Sequence, residues 1–213
     1  MSRMNTCTLL VLAKAPRPGL SKTRLAPAYG PDGAAALAAA ALADTLAAAA
    51  AALVARRVLV LDGGPVPGVP PGLEVVPQAG GPHGHRIAAA LAAVDGPALL
   101  IGMDTPQVTP DLLSPELTDP GIGAWFGPAE DGGWWALGLR EPGRFAHRVL
   151  AGVPRSTSRT GAIQRERLVA TGLVVADLPA LRDVDEPADA EAVAAAAPGT
   201  RFAAALRALR VAS

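Results

Sequence analysis

Short apolar segments alternate with helical segments through the first half of the chain, and this alternation constrains the fold more than any other feature. Each apolar segment is short, rich in branched residues and followed by turn-forming residues, as buried strands are. The predicted strands are 6–13, 57–61, 73–76 and 98–103, with helices over 33–54 and 80–94 between them. Strands that alternate with helices form a parallel sheet covered on both faces. The sequence therefore predicts an α/β fold.

The second half of the chain continues with elements of both kinds. The predicted strands are 124–126, 134–139 and 173–176, and the predicted helices are 110–117, 142–150, 160–171 and 186–196. No linker interrupts the 213 residues, and half of them are hydrophobic, which is enough for a sizeable core. We therefore expect one domain over residues 1–213.

The alanine-rich segment 33–54 approaches the length of a membrane span, and its only polar side chains are Asp44 and Thr45. Alanine is only weakly hydrophobic but is the strongest helix former. A mid-span aspartate would add about 2.5–3.5 kcal/mol in lipid. We therefore predict a soluble helix with no membrane contact. The apolar run at 8–13 is too short for a signal peptide and lacks a cleavage site, so a cytoplasmic location is expected.

Charge and cysteine content exclude several classes of protein. The formal net charge is zero, with 19 basic and 19 acidic residues, whereas nucleic-acid-binding proteins normally carry a basic excess. Cys7 is the only cysteine, so neither an intramolecular disulfide nor a cysteine metal cluster can form. The sequence predicts a partner that is a small molecule.

Both lysines of the chain, Lys14 and Lys22, lie in the loop after the first predicted strand, while every other basic residue is arginine. Gly19 and the stretch 21–24 (SKTR) supply a flexible backbone, hydroxyls and two cations, which suit phosphate groups. A lysine ammonium is a compact point charge that a guanidinium cannot replace at a crowded phosphate. The loop is not a Walker A motif. We predict a phosphate-binding loop, with an ordinary solvated loop as the alternative.

Asp104 directly follows the fourth predicted strand, and a carboxylate there could hold Mg²⁺ against substrate phosphates. The alternative is an N-cap for the next helix. Asp183 and Asp185 form a second acidic site. Asp185 could be a metal ligand or the cap of the last predicted helix, and the sequence favours neither.

Two further segments carry candidate residues. Asp131-Gly132 is a hairpin signal before Trp134 and Trp135, which should point to opposite faces of a strand, so that only one lines the cleft. The segment 155–159 (RSTSR) could hold an anionic acceptor through its two arginines.

Five motifs occur in an order that resembles a bacterial transferase family: AKAPRPGLSKTRL, QAGGPHGHR, LLIGMDTP, GPAEDGGWWALGL and DVDEPADAEAV. This family is associated with radical-SAM/selenodomain or arsenosugar genes. It is similar to 2-phospholactate guanylyltransferase and to molybdenum-cofactor nucleotidyltransferases. The resemblance covers about residues 8–196. It implies the glycosyltransferase-A fold, a three-layer, nucleotide-diphospho-sugar-transferase-like α/β fold with a mostly parallel central sheet.

The resemblance also implies roles for individual residues. The catalytic residues would be Lys22, Arg24 and Asp104, with Asp104 and Asp185 as metal ligands. The nucleotide would contact Ala13, Lys14, Gly19, Lys22, Gln78 and Gly84, with Gln78 and Gly84 near the base. The acceptor would lie near Asp131, Gly132, Gly133, Arg155, Ser156 and Thr157. The chain departs from the family pattern at His83, where leucine is usual, and at Arg155, where tryptophan is common.

The function expected from these residues is Mg²⁺-dependent transfer from an activated nucleotide, with Mn²⁺ as an alternative metal. We favour transfer of a nucleotidyl group from an NTP to an anionic or phosphorylated small molecule, with release of pyrophosphate. The alternatives are transfer of a sugar from a nucleotide-sugar and a nucleotide-binding protein without catalytic activity. The oligomeric state stays open, a homodimer included.

Overall fold

A seven-stranded sheet organises the part of the chain that the computed structural model describes, residues 6–154 and 157–212. The strands are β1 (Thr8–Lys14), β2 (Arg56–Asp62), β3 (Glu74–Pro77), β4 (Ala98–Ile101), β5 (Ile122–Pro128), β6 (Trp134–Leu139) and β7 (Val174–Asp177). Their order is β3-β2-β1-β4-β6-β5-β7. Strand β6 is antiparallel to its neighbours β4 and β5, and every other pair is parallel. The prediction of a mostly parallel sheet is therefore confirmed.

Helices cover both faces of this sheet. They are α1 (Ala26–Ala51), α2 (His83–Ala92), α3 (Pro142–Leu150), α4 (Thr160–Ala170), α5 (Pro187–Ala196) and α6 (Arg201–Ala212). Side chains of β1 alternate between two cores, because successive residues of a strand point to opposite faces. Leu9 packs in the core that includes Leu46 of α1. Leu10 packs in the core that includes Ile87 of α2 and Phe145 of α3.

Helix α1 is buried on two sides and contributes residues to two cores. It packs on the sheet through one side and on α5 and α6 through another, where Leu37 meets Val193 and Phe202 in a third core. Its length and composition would suffice to cross a membrane, but 56% of its most apolar window is buried inside the protein. The backbone kinks at Gly30, whose φ is 72°, so the long regular part begins at Pro31, two residues before the predicted segment 33–54.

Asp44, the lone charge in the middle of α1, has a structural partner. Its carboxylate accepts hydrogen bonds from the backbone N–H groups of Arg201 at 3.0 Å and Phe202 at 2.8 Å, at the start of α6. These N–H groups have no partner within α6, so the carboxylate caps that helix from outside. Asp44 therefore joins two helices of the α1 side of the sheet.

The structure differs from the prediction at two elements. No helix forms over 110–117, where the chain makes turns instead. Pro115 lacks an N–H and would clash with the carbonyl four residues earlier, so a helix begun at Pro110 cannot continue. Helix α6 was not predicted, although Phe202, Leu206 and Leu209 recur at helical spacing and pack in the third core.

Candidate active site

A cavity of about 660 Å³ lies at the carboxyl ends of β1 and β4, where ligands bind in open sheets of this kind. The structure brings together here the loop after the first predicted strand, the start of the segment 78–86 and Asp104 after the fourth predicted strand. The site residues expected from the sequence that line the cavity are Ala13, Lys14, Lys22, Arg24, Gln78, Asp104, Asp131, Thr157 and Asp185. Loops from both halves of the sheet therefore form one site.

Lys22 lies at the centre of the polar side chains in this cavity. Its Nζ is 2.9 Å from Oδ1 of Asp104 and 2.9 Å from Oδ1 of Asp185. Arg24 adds a longer contact of 3.5 Å from Nη1 to Oδ2 of Asp185. The Lys22 side chain is only 10% exposed, whereas the Asp104 and Asp185 side chains are 40% and 44% exposed. The ammonium group thus sits beneath two carboxylates that still face the cavity.

Burial and the neighbouring negative charges shift the pKa of Lys22 in opposite directions. Burial lowers the pKa of its ammonium group, but the charges of Asp104 and Asp185 and their hydrogen bonds together outweigh burial. The pKa of Lys22 is therefore raised above its usual value. The lysine is a permanent cation in this site.

The loop that carries Lys22 is held in a tight conformation. Lys22 has a φ of 47° and is the only non-glycine residue with positive φ among residues 6–154 and 157–212. This conformation costs a side-chain-bearing residue about 1–2 kcal/mol. Ser21 fixes the loop, because its hydroxyl accepts the backbone N–H of Arg17 at 2.9 Å and its own N–H donates to the Arg17 carbonyl at 3.0 Å. Backbone strain that the surrounding structure maintains is common at functional sites.

Asp104 and Asp185 come from two loops that hydrogen bonds join. The Val184 N–H donates to the Asp104 carbonyl at 2.9 Å, and the Gln107 amide donates to the Arg182 carbonyl at 2.7 Å. No helix follows Asp104 directly in the described chain, so the capping alternative for this residue is wrong.

Capping is also the wrong role for Asp185. The residue that precedes α5 is Glu186, whose backbone N–H donates to Asp189 at 2.9 Å. The Asp185 carboxylate instead faces Lys22 and Arg24. Both aspartates that the sequence singled out are therefore directed at Lys22.

Asp183 is a residue whose importance the sequence left open. Burial, followed by the charges of Asp104 and Asp131, raises the pKa of its carboxyl group to about 7. One of its oxygens, Oδ1, is buried and has no hydrogen-bond partner. The sequence gives no signal for this burial, since alternation with Val184, which enters the core, would place Asp183 on the opposite side.

The side of the cavity that the sequence analysis expects to hold the base contains Gln78, whose side-chain polar atoms all have hydrogen-bond partners within the protein. Its Nε2 donates to the carbonyls of Ala13 at 2.7 Å and Val60 at 3.1 Å, and its Oε1 accepts from Arg86 at 2.9 Å. Gln78 therefore fixes the end of β1 in this structure. Both glycines that were expected to bind the nucleotide, Gly19 and Gly84, are absent from the residues that line the cavity.

The side of the cavity that the sequence analysis expects to hold the acceptor contains the turn between β5 and β6. Asp131 Oδ1 accepts the Gly133 N–H at 2.7 Å, and the Gly132 carbonyl accepts the Gly161 N–H at 2.7 Å. A Cβ on Gly132 would overlap the Ser158 carbonyl, so glycine is required for this close approach. The turn and the start of α4 thus form one wall, although Gly132 and Gly133 themselves do not line the cavity.

Two other predictions concern this wall. Trp134 and Trp135 pack in different cores, as predicted, but both also border the cavity, so the expectation that only one would do so is wrong. Of the expected acceptor residues, Arg155 and Ser156 lie outside the described residues. Thr157 lines the cavity.

The carboxylates present fit a hard divalent cation. Mg²⁺ prefers oxygen ligands and commonly uses one or two carboxylates together with substrate phosphates. Asp104 and Asp185 supply such oxygens, and the buried, unpartnered Oδ1 of Asp183 lies in the same cluster. Within the described ranges, no three His, Cys, Asp or Glu side chains are arranged to hold a metal by themselves. A cation here would need ligands from the substrate.

Comparison with protein families gives a match over residues 34–157 to the family described as "Uncharacterized protein conserved in bacteria (DUF2064)". The chain belongs to this family. Comparison with curated proteins by sequence gives no match. The association with radical-SAM or arsenosugar genes stays a prediction.

Solved structures show the same fold. A protein of Desulfovibrio desulfuricans G20, provisionally named a nucleotide-diphospho-sugar transferase, is 25% identical with a TM-score of 0.85, over 98% of this chain and 96% of that one. CMP:2-keto-3-deoxy-manno-octonic acid synthetase complexed with CTP is 13% identical with a TM-score of 0.58, over 90% and 98%. Rv0371c of Mycobacterium tuberculosis H37Rv, in complex with manganese, is 23% identical with a TM-score of 0.50, over 90% and 98%. The predicted nucleotide-diphospho-sugar-transferase-like fold is confirmed.

Proposed function

We propose that this DUF2064 protein is a cytoplasmic, divalent-metal-dependent nucleotidyltransferase that moves a nucleotidyl group from an NTP to an anionic small molecule. The observation that carries the proposal is the meeting of Lys22 with Asp104 and Asp185 at the floor of the cavity. A cation and two carboxylates at the carboxyl edge of a parallel sheet suit a metal-bound phosphate chain. The triphosphate in the complex of the CMP-sugar synthetase, whose fold this chain shares, is consistent with that ligand.

The residues of the proposed site fall into two groups, metal ligands and phosphate-binding cations. Asp104 and Asp185 would hold Mg²⁺ or Mn²⁺, which when bound supplies positive charge to the phosphates. Lys14, Lys22 and Arg24 line the same cavity and would neutralise the charge that develops on the leaving pyrophosphate. An oxygen of the acceptor bonds to the α-phosphorus as the bond from that phosphorus to the bridging oxygen breaks. No protein nucleophile is required.

The acceptor would occupy the side of the cavity formed by Asp131, Trp134 and Thr157. We expect it to be anionic because Arg155 and Arg159 flank the hydroxyl residues of that segment. A phosphorylated acceptor could attack through a phosphate oxygen and would need no base to remove a proton.

A second candidate function is transfer of a sugar from a nucleotide-sugar. The observation that favours it is the name of the Desulfovibrio desulfuricans G20 protein, which has the same fold over nearly its whole length. A nucleotide-sugar presents only a diphosphate, however. Three cations from the end of β1 and the loop that follows it, together with a metal, suit the larger charge of a triphosphate.

The two functions release different products. The purified protein is incubated with Mg²⁺ or Mn²⁺, each NTP and a panel of phosphorylated small molecules, and pyrophosphate is assayed. In parallel, nucleotide-sugars are assayed for nucleoside diphosphate. We expect pyrophosphate from one NTP with the correct acceptor, and none from an Asp104→Asn variant. Sugar transfer without pyrophosphate from any NTP would instead establish the second function.

A further inference from the structure

The contact between Lys22 and the two aspartates conflicts with the role that each is expected to play. Lys22 should meet phosphates, and Asp104 and Asp185 should meet a metal. In this structure the Lys22 Nζ lies instead 2.9 Å from an oxygen of each aspartate. The ammonium group thus bridges the two carboxylates in the way expected of a divalent cation.

We propose that Lys22 is a built-in competitor for the metal, and that it occupies the carboxylates of Asp104 and Asp185 until a nucleotide draws it away. This inference rests on the proposed metal-binding role of these aspartates. Lys22 cannot bond both carboxylates closely while a cation lies between them, because two positive charges would share one small site. Its movement to the phosphates would therefore accompany metal binding.

The choice of lysine supports this competition. An ammonium group is a compact point charge with three donors, so it can approach two carboxylates at once, whereas a guanidinium is a broad planar fork. The loop also limits the groups that the Lys22 ammonium can contact. Lys22 has a strained φ of 47°, and its side chain is only 10% exposed. A lysine on a solvated loop would not be held against the aspartates in this way.

The competition makes metal and nucleotide binding cooperative. Without phosphates, Lys22 has no anionic partner that could replace the aspartates, so the bare cation must compete with it. With a nucleotide bound, the phosphates accept Lys22 and free both carboxylates. The protein should therefore bind bare Mn²⁺ weakly and the metal–nucleotide complex well.

The first test measures Mn²⁺ affinity by calorimetry without nucleotide, in the wild type, in Lys22→Met and in Lys14→Met. If Lys22 occupies the carboxylates about nine-tenths of the time, its removal tightens Mn²⁺ binding about tenfold. Lys14 lines the same cavity but forms no ion pair with Asp104 or Asp185, so Lys14→Met is the matched control for loss of one charge. We expect little change in that variant. Thermal unfolding confirms that each variant folds.

Three results would overturn the inference. Equal Mn²⁺ affinity in the wild type and Lys22→Met would remove the competition and leave the proposed function standing. An equal gain of Mn²⁺ affinity in Lys22→Met and Lys14→Met would show that the effect comes from the loss of one positive charge in the cavity and not from the contact of Lys22 with the aspartates. No Mn²⁺ binding by any protein, even with nucleotide present, would remove the metal role of the aspartates and the inference together.

The second test uses the wild type alone and does not depend on a variant that folds. The chain contains two lysines, so ¹⁵N-lysine labelling gives two side-chain ammonium signals. Mg²⁺ added with a non-hydrolysable NTP should shift the Lys22 signal as its partners change from carboxylates to phosphates. Mg²⁺ alone should leave the Lys22 signal unchanged at concentrations too low to displace the ammonium group from the two aspartates. A Lys22 signal that never responds would contradict the proposal.

Discussion

Lys22 and Asp104 form a direct ion pair, although α1, β2, β3, α2 and β4 separate them in the chain. Their contact depends on the parallel arrangement of β1 and β4, which pair from Thr8 with Ala98 onward and end at the same edge of the sheet. The loop after β1 carries the cation and the loop after β4 carries the carboxylate. The topology of the sheet therefore creates the charged centre of the cavity.

Replacement of Lys22 by alanine should lower turnover by about two to three orders of magnitude, as loss of a preorganised charge contact commonly does. The fold should survive, because the Asp104 and Asp185 side chains retain 40% and 44% exposure and can be solvated. Steady-state kinetics and thermal unfolding of the purified variant measure the two effects. Near-native turnover would exclude Lys22 from the site.

Replacement of Asp104 by asparagine should abolish metal-dependent nucleotide binding with little loss of thermal stability. Asparagine keeps the shape of the side chain but loses the charge that a hard cation requires. Nucleotide is titrated against both proteins with and without Mg²⁺. Identical metal dependence in the two proteins would show that Asp104 is not a ligand.

The stability of the metal-free protein should depend on the protonation of Asp183. Its pKa is raised to about 7 in the folded protein, chiefly by burial, whereas an aspartate in the unfolded chain titrates near pH 4. Between these values the folded state holds a proton that the unfolded state has lost. The free energy of unfolding should therefore fall as the pH rises from about 4 to about 7, by a few kcal/mol at most.

The Asp183→Asn variant isolates this contribution, because its side chain is neutral at every pH. In EDTA-containing buffer, the free energy of unfolding of the variant, measured with urea, should not fall between about pH 4 and pH 7. The variant should therefore be more stable relative to the wild type toward pH 8 than at low pH. Asp32, which is exposed at the start of α1, provides the control substitution Asp32→Asn. Parallel pH profiles of wild type and Asp183→Asn would contradict the assignment.

The sequence predicted the strands well because buried strands are short and have clear ends. Strand β6 and helix α3 lie over the predicted residues, 134–139 and 142–150. Helix α6 was missed, although Phe202, Leu206 and Leu209 lie at helical spacing and mark the face that it buries. The helix expected at 110–117 is absent because Pro115 stops it, which local propensity alone did not weigh.

For the candidate site, the sequence located the segments but not their contacts. The rule that parallel strands end at one edge placed Lys22 and Asp104 together. It could not show that Lys22 bridges Asp104 and Asp185, because that depends on the fold of an irregular loop. The burial of Asp183 likewise depends on hydrogen bonds between the two aspartate loops.

Asp44→Ala should destabilise the protein by about 1–2 kcal/mol, because it removes the cap of α6. In a chain of this length such a loss lowers Tm by roughly 2–8 °C. Nucleotide binding should be unchanged, since Asp44 does not line the cavity. Asp32→Ala, an exposed substitution in the same helix, is the matched control. Equal Tm values for the two variants would contradict the capping role.

Gly132→Ala tests whether the β5–β6 turn must contact the start of α4. Gly132 has a φ of 89°, and a Cβ there would overlap the Ser158 backbone. Gly152 is the matched control, because its φ of 67° is also positive but its Cβ would meet no atom within 4 Å. Gly152→Ala therefore measures the cost of the backbone conformation alone, about 1–2 kcal/mol.

We expect Gly132→Ala to cost more than Gly152→Ala, because the turn must move away from Ser158 as well as adopt the strained conformation. That movement displaces Asp131 and Thr157, so the KM for the acceptor should rise while nucleotide affinity is retained. Urea unfolding gives the difference in stability, and calorimetry with nucleotide separates the two sides of the cavity. Equal stability losses in the two variants would show that the turn can separate from α4 without cost. Loss of nucleotide binding in Gly132→Ala would place this wall on the nucleotide side instead.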